Sequence, residues 1–360
     1  MVIKSIVGGR LINILEIIKS MFRKLTMVFI TFFCIGKIVF LYGDDNTNPR
    51  ITPRLGDGYN KPLINRSGYT LVPELSDEFG GTKLNLNKWR PHMKNWKGRG
   101  AEFTPSNVSV KDGCLQLKSS IKDEQFLEEV YSTIDHALTG YQRKIDINTW
   151  SPADYGEKWD AKKLSSQPFY DNLQDLGLKA IGAAAVESRN EIASAGYYEA
   201  RIKISKIALS SSFWLIGGGT EFDITESMGS HTLSIKSDWL ARTPYEIQSA
   251  IHYHNPPPKT PEFEKMKYLA PKKLSDEFFI LGFLWGETET KIFYNDQEIY
   301  GHALNSIPEI DPKIFSSLKR MIFDREVLWG PWKGWPTKAQ LTNPEINTYY
   351  IDWVRVWEPN

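Results

Sequence analysis

From about Tyr69 to the C-terminus the chain is cut into short runs rich in Val, Ile, Tyr, Phe and Trp, separated by polar turns. These runs are Val108–Val110, Tyr197–Ile204, Ser211–Ile216, Ile247–Tyr253, Phe278–Trp285, Lys291–Tyr294 and Tyr349–Trp357. Most alternate with period two. In Tyr197–Ile204, Tyr198, Ala200, Ile202 and Ile204 share one face, while Glu199, Arg201 and Lys203 share the other. That is the pattern of a strand buried on one side only. Asn295-Asp296-Gln297 separates two such runs and reads as a hairpin turn. Long amphipathic helical patterns are nearly absent, and no internal repeat is evident. Many short strands joined by polar turns predict an all-β sandwich or barrel.

Composition removes several functional classes. Lys and Arg total 44 against 43 Asp and Glu, a formal net charge of +1. A nucleic-acid binder would carry a basic excess gathered into patches. Two cysteines make neither a disulfide scaffold nor a cysteine-rich zinc site. Cys114 opens the strand-like run Cys114–Leu117 and is expected to be a small buried apolar residue without chemistry. Aromatics reach 13% with 12 Trp, and flat aromatic faces suit the gripping of sugar rings.

Residues 1–43 do not read as part of a domain. Lys19, Arg23 and Lys24 precede an apolar stretch from Met27 to Gly36, and a second apolar run follows Lys37. A stretch of about ten apolar residues is short for a membrane span, and a basic region before it reads as a secretory leader. The expected location is therefore secreted, periplasmic or at the cell surface, with a single N-terminal anchor built from both runs as the alternative. Lys4, Arg10, Lys19, Arg23, Lys24 and Lys37 face only Glu16 in this stretch, so the chain beyond it is mildly acidic. Residues 44–66, rich in Asp, Asn, Pro and Gly, suit a linker or strap before a domain over 67–360. Residues 121–180 break the strand pattern. They are expected to be an insertion at one rim of the sandwich, with a short helix over Asp123–Glu129.

The most informative stretch runs from Ser210 to Glu226 and ends in Glu-Phe-Asp-Ile-Thr-Glu. On a regular strand Glu221 and Asp223 share a face, about 7 Å apart along the chain. Glu226 is offset from Glu221 by an odd number and should point away, unless a β-bulge absorbs one residue. Three carboxylates on one face repel one another, so their pKa values must separate, leaving one ionised and another protonated. Glycoside hydrolysis with retention needs such a pair, one carboxylate as nucleophile and one carboxylic acid as proton donor. The bare spacing also fits an acidic strand edge or a calcium site.

With these motifs the sequence resembles glycoside hydrolase family 16, whose bulge-bearing members carry E-x-D-x-x-E. The resemblance runs from Leu71 to the C-terminus. It includes Asp77-Glu78-Phe79 with Lys88-Trp89, Asn107 to Gly113, Gly196 to Lys203, Phe213-Trp214-Leu215, the acid motif, and Tyr350 to Val356. It implies a jelly-roll, concanavalin-like sandwich with a concave substrate groove. It also implies Glu221 as nucleophile, Asp223 as assisting acid and Glu226 as general acid/base. Trp214 matches a Trp that members stack against the sugar beside the cleavage point, with core packing as the alternative. His252 and His254 share a strand face near the groove, where either a sugar contact or a structural role is open. Trp285 matches a Trp that supports the sheet.

Asn95 to Gly100 and Ile322 to Val327 resemble the agarase and porphyranase branch, as does Leu209 to Trp214. Trp96 is then a candidate platform for a sugar ring. Arg99 is a candidate contact for a sulfate or hydroxyl, because a guanidinium fork suits an anionic oxygen group, or else an ordinary surface arginine. The expected activity is a secreted retaining endo-β-galactanase acting on agar or porphyran. Laminarinase-like or carrageenase-like hydrolysis, or a non-catalytic carbohydrate-binding sandwich, are the alternatives. The expected partner is the polysaccharide alone, with the protein a monomer and no nucleic acid bound. No cofactor or catalytic metal is expected; Asp352 alone hints at a structural calcium site.

Overall fold

The computed structural model describes residues 6–7, 10–11, 68–142, 167–230, 242–254, 266–304, 312–328 and 334–360. Two compact units divide the chain, Met1–Asn48 and Pro49–Asn360. In the first, Ile6–Val7 pairs antiparallel with Arg10–Leu11. The rest of the expected leader, and the expected strap over 44–66, lie outside the described residues.

The second unit is a jelly-roll sandwich of two antiparallel sheets. The strands of the sheet that bears the acids are β1 (Trp89–Arg90), β2 (Ala185–Ser188), β3 (Ser210–Gly217), β4 (Thr220–Met228), β5 (Glu246–Tyr253), β6 (Met266–Leu269) and β7 (Arg320–Asp324). Their spatial order is β6-β5-β4-β3-β7-β2-β1. The opposing sheet is centred on Gly196–Lys203 and Thr348–Pro359, which pair with each other. Its hairpins turn at residues with positive φ, Asp112-Gly113 and Asn295-Asp296, as two-residue hairpins require.

Between the sheets lies one large apolar core. Tyr198, Ala200, Ile202 and Ile204 all point into it, as their alternation predicts, and meet Phe213, Leu215, Phe222 and Ile224 from the facing sheet. Trp285 is also buried there, its ring meeting that of Phe222 edge-on at 5.1 Å.

The expected insertion is more helical than its sequence suggests. The short helix predicted over Asp123–Glu129 extends as α1 (Glu124–Gln142), and a second, α2 (Gln167–Ala180), follows. Helix α2 escapes a pattern reading because Pro168 and Gly177 weaken its propensity, although Leu173, Leu176 and Ala180 keep a helical spacing. At the base of the insertion Ser120–Ile121 pairs antiparallel with Ile181–Ala183. The helices contribute Leu127, Val130, Ile134 and Leu173 to a second apolar core, shared with Ala101, Phe103, Ile322 and Trp335.

Candidate active site

Strand β4 brings the three acids together through a bulge. Ile216 pairs with Glu221 and Trp214 with Asp223, but the register then shifts, so that Ser212 pairs with Glu226. Ile224 is the extra residue, and its side chain is buried in the main core. The slip returns Glu226 to the face of Glu221 and Asp223, while Thr225 and Ser227 turn inward. Ser227 Oγ donates to the Glu246 carbonyl, and Ser249 Oγ donates to the carbonyl of Ile224, which the bulge displaces. The Ile224 carbonyl, freed by the irregularity, thus finds its partner on β5.

Each of the first two acids has a histidine beside it, His252 on β5 and His254 just past its end. His254 Nε2 lies 2.9 Å from Glu221 Oε2, and His252 Nε2 lies 3.0 Å from Asp223 Oδ2. The two imidazoles stack 6.0 Å apart. Burial pulls the Glu221 pKa upward, but hydrogen bonds from His254 and Asp223, together with both imidazoles, outweigh it and hold the group below its usual range. Asp223 is pushed the other way, well above its usual range, by complete burial and by the charges of Glu221 and Glu226. Asp223 therefore keeps its proton and donates it in a hydrogen bond to ionised Glu221. In return Glu221 raises the pKa of His254.

These acids line a cleft of about 930 Å³ on the outer face of the sheet. All the expected contact residues border it: Trp214 on β3, His252 and His254 at β5, and Trp96 and Arg99 on the loop after β1. Trp214 reaches it on the same face of β3 as Ser212 and Ile216, with its inner side against the second core. Trp96 is 44% exposed, and its indole Nε1 donates to Glu326. The Arg99 guanidinium carbon stands 5.9 Å from the Trp96 ring centre.

Glu326 and Asp324 carry no signal that assigns them a role from sequence, although both fall inside the Ile322 to Val327 run. Asp324 extends from β7 opposite Ser212, which links it across one strand to Glu226. Glu326 closes onto the start of β3, its backbone N–H donating to Ser210 Oγ. Burial pushes its carboxyl up to about 7, against the opposing pull of Arg99 and Trp96. Glu187, Arg320 and Lys267 also line the cleft. Arg320 approaches Glu187 at 3.3 Å, and Lys267 approaches Glu246 at 3.1 Å.

Among the described residues, the one cluster with the spacing of metal ligands is Glu221, Asp223 and His252, whose ligand atoms lie within 4.8 Å of one another. Asp352, the hint of calcium, instead binds Arg201 Nη1 at 2.7 Å, so a divalent cation there would have to displace a guanidinium. Cys114 is only half-buried, contrary to expectation, and stands beside Asp352; partial burial and that carboxylate push its thiol up to about 11, which keeps it unreactive.

The chain matches the family model for the glycoside hydrolase family 16 domain of β-porphyranases A–D over residues 142–359. It is similar to β-porphyranase D of Zobellia galactanivorans, with 25% identity over 83% of this chain and 63% of that protein, so it spans less than two thirds of that relative. With β-porphyranase B of the same organism it shares 25% identity over 81% of this chain and 85% of that protein. With β-agarase AgaA of Microbulbifer thermotolerans the figures are 25%, 51% and 44%. The crystal structure of porphyranase B from Zobellia galactanivorans superposes with a TM-score of 0.57, at 24% identity, covering 81% of this chain and 92% of that one. That of β-agarase A from the same organism gives 0.59 at 16% identity, covering 85% and 97%. The sandwich, the bulged acid strand and the family match lead to one assignment: this chain belongs to glycoside hydrolase family 16, in its β-porphyranase A–D group.

Proposed function

We propose that this chain hydrolyses internal β-glycosidic bonds of a red-algal galactan of the agar or porphyran type, with retention of configuration. The observation that carries this reading is the bulge at Ile224, which sets Glu221, Asp223 and Glu226 on one wall of the cleft. In the first step the Glu221 carboxylate attacks the anomeric carbon while Glu226 gives its proton to the departing glycosidic oxygen. A glycosyl ester on Glu221 results. In the second step Glu226 takes a proton from water, whose oxygen displaces Glu221 from the anomeric carbon. Asp223, neutral and hydrogen-bonded to Glu221, steadies the carboxylate without competing for charge. Trp214 offers its face to the sugar beside the cleavage point.

Two features favour porphyran over neutral agarose. Arg99 lines the cleft, and it lies beside the Trp96 platform. A mildly acidic enzyme gains no long-range attraction for a sulfated polymer, so recognition of sulfate falls to such local guanidinium contacts. The relatives named for porphyran agree with this choice, and the one named for agar supplies the alternative. The reading further includes export through the basic and apolar N-terminal run, function as a monomer, and no need for a cofactor.

The deciding measurement is release of reducing ends from porphyran, agarose, carrageenan and laminarin. Faster release from porphyran is expected. Release from agarose alone would move the assignment to the neutral polymer, and binding without release from any of the four would sink the enzymatic reading.

A further inference from the structure

The helical insertion has no role in the chemistry above, yet it is joined to the recognition wall by unusually close backbone contact. A β-carbon added to Gly177 on α2 would lie 2.3 Å from the Gly100 carbonyl oxygen and 2.8 Å from Trp335 Cη2. A β-carbon on Gly100 would in turn lie 2.8 Å from Val327 Cβ and 3.1 Å from Gln174 Oε1. Gly100 also has φ +59°, a conformation that side chains disfavour. Helix and loop therefore touch through two positions that tolerate no side chain.

One neighbour of this contact, Arg99, belongs to the cleft wall. Arg99 precedes Gly100, and its carbonyl accepts the Val327 N–H at 2.9 Å, which fixes the loop to the residue after Glu326. The strand leaving the insertion, Ile181–Ala183, pairs in parallel with Glu102–Phe103 at the loop's far end, and the Phe103 N–H donates back to the Lys97 carbonyl. The second core fills the space beneath, from Leu127 and Leu173 on the helices to Ala101 on the loop and Ile322 on β7. A densely packed contact of this kind transmits displacement instead of absorbing it.

We infer that the helical pair α1–α2 is a positioning module for substrate recognition: through the Gly177–Gly100 contact it sets the height of Trp96 and Arg99 above the cleft, and so sets the affinity for the sulfated polymer. Gly177 is a positioning residue and touches no substrate. The inference rests on the proposed function, since it needs a polymer that uses Trp96 and Arg99.

The test is Gly177→Ala, assayed in the full chain on porphyran and agarose. The added methyl forces the loop outward, and a loss of about 1.4 kcal/mol of contact between Trp96, Arg99 and the polymer raises KM about tenfold. The expected result is that rise for porphyran, with kcat close to wild type and a smaller change on agarose. In a Trp96→Ala, Arg99→Ala background, Gly177→Ala should add no further increase in KM, because the groups it displaces are gone. If Gly177→Ala does not fold, Leu127→Ala loosens the second core at a distance from the loop and is expected to give the same separation of KM from kcat. An unchanged KM, a fall confined to kcat, or full additivity with the double variant would overturn the inference. Because the wild type is assayed alongside, its inactivity on every polymer would reject the proposed function, whereas an active wild type with an unaffected variant rejects only the positioning role.

Discussion

The cleft has two walls, built in different ways. On one side, Glu221, Asp223 and Glu226 stand on consecutive same-face positions of a single strand, with their histidines one strand away. On the other side, the loop that carries Trp96 and Arg99 meets Glu326 from a distant segment, and a second core with a pair of helices packs beneath them. The first wall is local and is set by pairing register. The second is assembled from distant parts and is set by packing. The difference parts the acids from the platform: the ladder sets where the three carboxyl groups stand, while the packed wall sets Trp96 and Arg99 and, through the charge of Glu326, still bears on Glu221 and Glu226.

The largest effects should come from breaking the ladder wall. Glu221→Gln and Glu226→Gln are each expected to lower kcat by about 10³-fold or more, with circular dichroism and thermal melting unchanged. Near-normal turnover in either would reassign the roles. Next comes the packed wall. Trp96→Ala should raise KM by about tenfold with little change in kcat, and Arg99→Lys should weaken porphyran more than agarose, because a lysine keeps the charge but loses the fork.

A subtler change separates the histidines from the acids they serve. His254 lowers the Glu221 pKa, so Glu221 stays ionised further into acid than it would alone. In His254→Ala the acidic limb of the kcat/KM profile should therefore move to higher pH, and a limb that stays put would show that another group governs it. The smallest effect belongs to stability. Glu326 has an ordinary value of 4.5 and a folded value of about 7, so the folded chain holds a proton that the unfolded chain releases in between. The native state consequently loses stability as pH rises from about 4.5 to about 7. Glu326→Gln should flatten that part of the curve of Tm against pH, and a slope equal to wild type would contradict the buried, protonated form.

The two walls were also unequally legible in sequence. The sandwich, the acid triplet and even the bulge follow from alternation and from an odd offset between Glu221 and Glu226, because strand registry is a short-range rule. Trp214, on the facing strand of that hairpin, stands out by resemblance. Trp96 and Arg99 stand out only by resemblance, and nothing local foretells that an indole would find the carboxylate of Glu326, 230 positions away. Helix α2 is hidden by the very residue that gives it a purpose: Gly177 lowers helix propensity, and its value appears only when the loop it admits is in place. Glu326 is another case. Its altered titration arises from burial that only the complete fold supplies.

The neck of the insertion has a wider consequence. Ile121 pairs with Ile181 in a small three-stranded sheet apart from the two sheets of the sandwich, so the segment between them starts and ends on one rung of an antiparallel ladder. Seen from the two sheets, those residues amount to the content of a single turn. A lineage could lengthen, shorten or exchange them without renumbering any strand, and the loss would fall on the apolar surface they cover, not on the order of the fold. Evolution can therefore vary the gauge that selects the polymer while leaving the cutting edge alone.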